Sequence, residues 1–188
     1  MPTFVALLRG VNVGAAKRVP MEELRRLLAA RGYTRIATVL NSGNAVFDAA
    51  GGTAASHAAT VAAAIGDGLG IEVPVVVKSA RELAAIVAGN PLCGAGVDPS
   101  RLLVAFARDR RTLLDLAAIA PLVAARERFF LGPRAAYLSC PAGILESPAW
   151  EALLGRSRSV VTTRNWATVL KLQSLASSAD AGPGASRR

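Results

Sequence analysis

Histidine is nearly missing from this chain. His57 is the only imidazole, and the two cysteines, Cys93 and Cys140, lie far apart in sequence. No group of residues has transition-metal ligand spacing, so neither a metal nor a cofactor is expected. With one histidine there is no Ser-His-Asp set, and no Gly-x-Ser-x-Gly elbow occurs. The phosphate fingerprints G-x-G-x-x-G and G-x-x-x-x-G-K-[ST] are also absent. Aromatics make up 5% of residues. Phe4, Phe47 and Phe106 fall inside apolar runs that read as core, which leaves no stacking platform for RNA. No run approaches the roughly 20 apolar residues of a membrane helix. The best stretch, Leu113–Ala125, is broken by Asp115 and Pro121. No basic leader precedes an apolar region at the N-terminus, where strand character begins at residue 3, so no secretory signal is expected. Together these absences predict a cytoplasmic protein with reduced thiols and no membrane partner. They remove the common routes to nucleophilic and metal-assisted catalysis. Chemistry by positioning and charge, or binding alone, is left.

What is present is a large apolar fraction and a one-sided charge. Of 188 residues 52% are hydrophobic, enough for a real core, and the net charge is +9. The basic residues are 19 Arg and 3 Lys, spread with no run longer than a pair. Together with the many alanines, this reads first as coding bias and a solvated basic surface. A phosphate-bearing or nucleic-acid partner is the alternative reading of the same charge, and a basic nucleic-acid-binding or protein-interaction module without catalysis is the alternative function.

The element order is informative. Phe4–Leu8 reads as a buried strand, central in its sheet because it is apolar on both faces. Residues 20–31 read as a helix, with Pro20 at its start, Glu22 and Glu23 in its first turn and Gly32 as its stop. Residues 35–48 read as a hairpin turning at Ser42-Gly43. A helix over about 54–69 and a strand over 72–78 complete strand, helix, strand, strand, helix, strand. That is the split β-α-β order of a ferredoxin-like domain. His57, with no obvious partner, is expected on the surface.

The second half opens on a capping box, Ser79 with Glu82. It continues with a strand at 102–106 and a helix from Asp109 to about Ile119. A hairpin follows around Gly132-Pro133, then a short helix after Ser147-Pro148 and a final helix from about Thr163 to Ala176. The expectation is therefore α+β: tandem ferredoxin-like units over 1–78 and 79–176, the second incomplete and carrying a C-terminal helix. Residues 177–188, small and polar, are expected as a disordered tail.

Candidate chemistry gathers in loops. In the expected topology the segment leaving the first strand and the turn of the first hairpin lie at the same sheet end. Arg9, Asn12, Lys17 and Arg18 would face Asn41, Ser42 and Asn44. Asparagine and serine offer neutral donors, glycine lets backbone N–H groups approach, and arginine offers a planar fork. The start of a helix adds positive potential. This chemistry suits a small anionic metabolite bearing a phosphate, carboxylate or ribose-phosphate. The competing reading of both loops is plain turn chemistry. Arg164 and Asn165 are expected at the start of the last helix, where an arginine opposes the dipole and calls for an anionic neighbour. They are added as residues closing the site. Asp48, just after the third strand, is a weaker acid or base candidate.

The motifs Leu7-Leu8-Arg9-Gly10-Val11-Asn12-Val13-Gly14, Val19-Pro20-Met21, Asn41-Ser42-Gly43-Asn44-Ala45-Val46-Phe47 and Thr162–Leu172 together resemble the bacterial family designated domain of unknown function 1697. The resemblance spans residues 3–176. It implies a small cytoplasmic α/β protein of tandem ferredoxin-like units and carries no activity. Members usually have a Ser/Thr-Lys pair where this chain has Glu146-Ser147-Pro148, so no catalytic role for that lysine applies here.

Overall fold

A computed structural model describes residues 1–14, 17–155 and 160–178. Among them the chain is mixed α+β, with eight strands and six α-helices. It divides into two compact units, one of Met1–Ala84 with the chain from Lys171 onward, the other of Ala85–Leu170. The first division falls inside a helix rather than between residues 78 and 79.

In the first unit the order is β1 (Thr3–Leu8), α1 (Met21–Ala30), β2 (Thr34–Thr38), β3 (Asn44–Asp48), α2 (Ala54–Leu69), β4 (Val75–Ser79) and α3 (Ala80–Ala88), whose end lies in the second unit. The sheet runs β2-β3-β1-β4, with every neighbouring pair antiparallel. β1 is inside the sheet, as its unbroken apolar run predicts, and all six of its residues are buried. Alternation sends Phe4, Ala6 and Leu8 into one core with Phe47 of β3, Val75 and Val77 of β4, Leu24 and Leu28 of α1, and Val61 and Ile65 of α2. Each such aliphatic or phenyl side chain stabilises the fold by roughly 1.5–3 kcal/mol. Pro74 immediately precedes the edge strand β4, where no ladder N–H is lost.

His57 is a correction. It lies one turn before Val61 on the inward stripe of α2 and is buried. Its Nδ1 is 2.9 Å from the Tyr33 hydroxyl, and its ring stands 4.3 Å from Phe4 and 5.8 Å from Phe47. The helical spacing from His57 to Val61 and Ile65 carried this signal; residue polarity masked it.

The second unit comprises the end of α3, β5 (Leu102–Ala107), α4 (Arg110–Leu114), a 3-10 segment (Asp115–Leu122), β6 (Arg128–Leu131), β7 (Ala136–Ser139), α5 (Pro148–Gly155), β8 (Val161–Asn165) and the start of α6 (Trp166–Ser178). Its sheet runs β6-β7-β5-β8, again wholly antiparallel. The expected incompleteness is therefore wrong. β8 occupies residues read as the start of the last helix, because Val160-Val161-Thr162-Thr163 is β-branched and favours a strand. The α-helix after Asp109 is also shorter than expected. It gives way to 3-10 turns at Asp115, ahead of Pro121, which has no N–H to donate and crowds the preceding turn. Of the tail expected from 177, residues 177 and 178 end α6 and the remainder lies outside the described residues.

Two strands pass into helices without a connecting residue. Ser79 ends β4, and its hydroxyl accepts from the Glu82 N–H at 3.2 Å while Glu82 Oε2 accepts from the Ser79 N–H at 2.9 Å. That is the capping box read from the sequence. Asn165 ends β8, and its Oδ1 accepts from the Thr168 N–H at 2.9 Å.

Candidate functional site

The segment between β1 and α1 is tied at Asn12 to the turn of the first hairpin. Asn12 makes the join. Its Nδ2 donates to Val19 O at 2.9 Å and to Asn41 O at 2.6 Å, and its Oδ1 accepts from the Val19 N–H at 2.9 Å. The Asn12 N–H also donates to Lys17 O at 3.1 Å. Both amide hydrogens and the carbonyl of this side chain are thus committed within the protein. Asn12 itself has φ +57°, a left-handed conformation that asparagine tolerates better than most residues.

The hairpin approaches closely because of Gly43. The Leu8 N–H donates to Gly43 O at 2.8 Å. A Cβ on Gly43 would lie 2.5 Å from Val11 Cγ2 and 2.7 Å from Leu8 Cβ, and its φ is +75°. Asn44 fixes the turn from inside. It is fully buried, and its Nδ2 donates to Val39 O at 2.8 Å and to Ser42 Oγ at 2.9 Å. Leu40, exposed, sits at φ +56° in the same turn, and Lys17 at φ +52° in the facing loop. Three non-glycine residues in the left-handed region thus fall within these two loops. Such conformations carry strain of order 1–3 kcal/mol each and concentrate where loops are held for a purpose.

Between loop and turn lies a pocket of about 580 Å³ lined by Asn12, Gly14, Arg18, Val19, Pro20, Met21, Glu22 and Asn41. Arg18, Glu22 and Asn41 are exposed, and among the described residues neither Arg18 nor Glu22 takes part in an ion pair. The pocket floor includes the first turn of α1, which has no side-chain cap at Pro20. Its leading N–H groups are therefore left to solvent or ligand.

The structure sorts the expected residues into three groups. Arg18 and Asn41, both exposed, are among the lining residues, and Asn12 lines the pocket with its amide already engaged. Ser42 and Asn44 form the turn beneath. Arg9 is not among the lining residues; its N–H donates to Pro74 O at 2.9 Å. Lys17 faces a separate hollow of about 510 Å³ with Asp67, Glu72 and Pro74. Glu22 was missed as a lining residue because the sequence accounted for it as a helix-dipole carboxylate.

Arg164 and Asn165 belong to the second unit. Arg164 is in β8, opposite Val104 of β5, not in a helix, so the dipole argument for it lapses. Its Nη1 donates to Thr162 Oγ1 at 2.8 Å and to Thr163 O at 2.7 Å, and burial pulls the guanidinium down to about 10. Asn165 is the cap of α6. Asp48 is likewise a structural group: buried, it accepts from Thr3 Oγ1 at 2.7 Å and pairs with Arg35 at 3.0 Å. Cys140 is buried, which pushes its thiol up to about 11, and Cys93 is exposed; both are free. Among the described residues no helix is long and apolar enough to cross a membrane.

Comparison with known proteins places this architecture. The structure of the conserved bacterial protein SP0830 from Streptococcus pneumoniae matches with a TM-score of 0.73 at 20% identity, over 93% of this chain and 98% of that one. At that identity the likeness is one of fold. No curated protein matches the sequence. Residues 1–137 match the family model described as "Protein of unknown function (DUF1697)". That span holds the whole of the first unit's loop and hairpin, while the motif at Thr162–Leu172 lies beyond it. With well over half of its length covered by that model, the chain belongs to the DUF1697 family.

Proposed function

We propose that this protein binds a small anionic ligand bearing a phosphate, in the pocket between the β1–α1 loop and the first hairpin, and that the two units are tandem ferredoxin-like domains of a cytoplasmic protein. The observation that carries the binding reading is the stitched loop. Asn12, held by three side-chain hydrogen bonds, ties the loop at Val19 to the hairpin turn at Asn41 beside a pocket that the exposed Arg18 also lines. Arg18 supplies a planar cationic fork, and the uncapped N–H groups opening α1 supply further donors. Asn41 supplies a neutral amide. In this reading Asn12 positions the loop, and Ser42 and Asn44 support it from beneath. Arg9, Lys17, Arg164 and Asn165 stand outside the ligand's contacts. The domain reading rests on the sheet orders β2-β3-β1-β4 and β6-β7-β5-β8, each reached through a strand, helix, strand, strand, helix, strand path.

The test is calorimetric titration of the full chain with inorganic phosphate and pyrophosphate at fixed ionic strength, beside Arg18→Ala. The native chain is expected to bind and Arg18→Ala to lose at least tenfold, since a charge-assisted contact contributes roughly 1.5–3 kcal/mol. Bound at a hundredfold excess over Kd, the ligand stabilises the native fold by about 2.7 kcal/mol, which a thermal midpoint reads independently. Equal binding by both chains would sink the reading. A competing role of the +9 charge in nucleic-acid binding predicts instead a steep loss of oligonucleotide affinity with salt.

A further inference from the structure

The pocket wall carries a carboxylate as well as a cation. Glu22 lines the same pocket as Arg18. Among the described residues the two side chains do not neutralise each other, and neither has another ion-pair partner. Its neighbour Glu23, by contrast, is held by Arg26 through two hydrogen bonds. A site for a bare polyanion gains nothing from a free carboxylate on its wall, since like charge there opposes binding. A carboxylate is an acceptor only, so what it recognises must present donors. Asn41 adds a neutral amide to the same lining, and Pro20 and Met21 add apolar surface. The volume, about 580 Å³, is in the range of small-molecule sites and leaves room for more than a phosphate.

Building on the phosphate-binding reading above, we propose that the ligand is a phosphate ester carrying a vicinal diol, with Arg18 on the phosphate and Glu22 accepting from the two hydroxyls. A ring attached to the sugar would rest on Pro20 and Met21. A free sugar phosphate and a ribonucleotide share this chemistry, and the ring contact separates them. Glu22 is a specificity-determining residue here, because its charge weakens the binding of simple anions relative to polyol phosphates. The vicinal pair matters because two adjacent hydroxyls can engage both carboxylate oxygens together, and a single hydroxyl cannot. Removing one therefore removes a charge-assisted contact.

The experiment titrates the full chain with inorganic phosphate, ribose 5-phosphate, AMP and 2′-deoxy-AMP, in the native protein and in Glu22→Ala. Glu22 is exposed, and alanine suits a helix, so this variant is expected to fold. The native chain should bind ribose 5-phosphate or AMP at least tenfold tighter than inorganic phosphate, and AMP several-fold tighter than 2′-deoxy-AMP. Glu22→Ala should erase the preference for AMP over 2′-deoxy-AMP while leaving inorganic phosphate as tight or tighter. AMP binding above ribose 5-phosphate identifies the nucleotide; equal binding identifies the sugar phosphate. If phosphate binds but the diol brings no gain, or the gain survives Glu22→Ala, the diol assignment is overturned and the phosphate site stands. If no probe binds the native chain, the site and this inference fall together.

Discussion

The two units answer the same connection differently. Where β1 gives way to α1, the chain runs through residues 9–20, crosses the left-handed region at Asn12 and Lys17, and is fastened to the neighbouring hairpin. Where β5 gives way to α4, it needs only Arg108 and Asp109, and the Asp109 carboxylate caps the helix by accepting from the Thr112 N–H at 2.8 Å. The sheet order is the same on both sides. The second unit therefore shows that the fold does not require the long loop. What exceeds the requirement of the fold in the first unit is the loop, its strained residues and the pocket they enclose.

That contrast can be broken most severely at Gly43. A Cβ there meets Val11 and Leu8, both outside the hairpin, at φ +75°. For the glycine of the second hairpin, Gly132, the nearest atoms a Cβ would meet lie in that hairpin itself, at Ala135, Tyr137 and Phe130, none closer than 3.0 Å, and its φ is not in the left-handed region. Gly43→Ala should cost about 2–5 kcal/mol in urea unfolding, adding roughly 1–3 for overpacking to 1–2 for the left-handed backbone. Gly132→Ala should cost clearly less. Equal effects would mean the first hairpin is not held against β1 in the way described.

Asn12→Ala comes next. Removing three side-chain hydrogen bonds at about 0.5–1.5 kcal/mol each, and leaving backbone groups of Val19 and Asn41 without that partner, should destabilise by roughly 2–3 kcal/mol. It should also abolish phosphate binding although Asn12 has no amide hydrogen to offer a ligand. Binding that survives this variant would mean that the pocket does not depend on the loop's closure.

A smaller effect compares the two buried tyrosines. Burial pushes Tyr137 up to about 12, with the nearby Cys93 adding to it, while Tyr33 is raised by burial against opposing contributions from Thr60 and Arg31. A raised phenol is protonated in the fold when the unfolded chain has already released its proton. This contribution is fully present below about pH 10 and is lost on rising toward about 12, at up to 1.4 kcal/mol per pH unit. Tyr137→Phe should flatten that alkaline loss in denaturant midpoints taken between pH 9 and 11.5. It should also remove about 1 kcal/mol at neutral pH, for the bond to Ile86 O. An unchanged slope would shift the alkaline transition to other groups.

The smallest is Asp109→Ala, which removes an ordinary helix cap at about 1 kcal/mol. If this variant cost as much as Asn12→Ala, the two connections would be equivalent and the long loop would have no distinct role.

Much of the architecture was legible because its signals are local. The unbroken apolar run at Phe4–Leu8 marked an interior strand, and Ser79 with Glu82 marked a helix start. The convergence of Asn12 with the Asn41–Asn44 turn followed from strand order alone. Side-chain assignment within that convergence was not legible. An asparagine that binds a ligand and one that clamps backbone, as Asn12 and Asn44 do, have the same letter and the same neighbours. β8 was missed because Thr162-Thr163 reads equally as strand and as helix cap, and only pairing with β5 decides between them. His57 was missed because one polar residue on an apolar helical stripe was weighed by its type and not by its place.

His57 has a further use. It is the sole imidazole of the chain, enclosed by Phe4, Tyr33 and Phe47 in the first unit, with the Gly52 backbone so close that a Cβ there would lie 2.9 Å from its Nε2. The only two tryptophans, Trp150 and Trp166, both fall in the second unit. Nature has thus labelled the halves with different spectroscopic handles. One imidazole resonance follows the opening of the first core, indole emission follows the second, and a single unmodified sample shows whether the two melt as one.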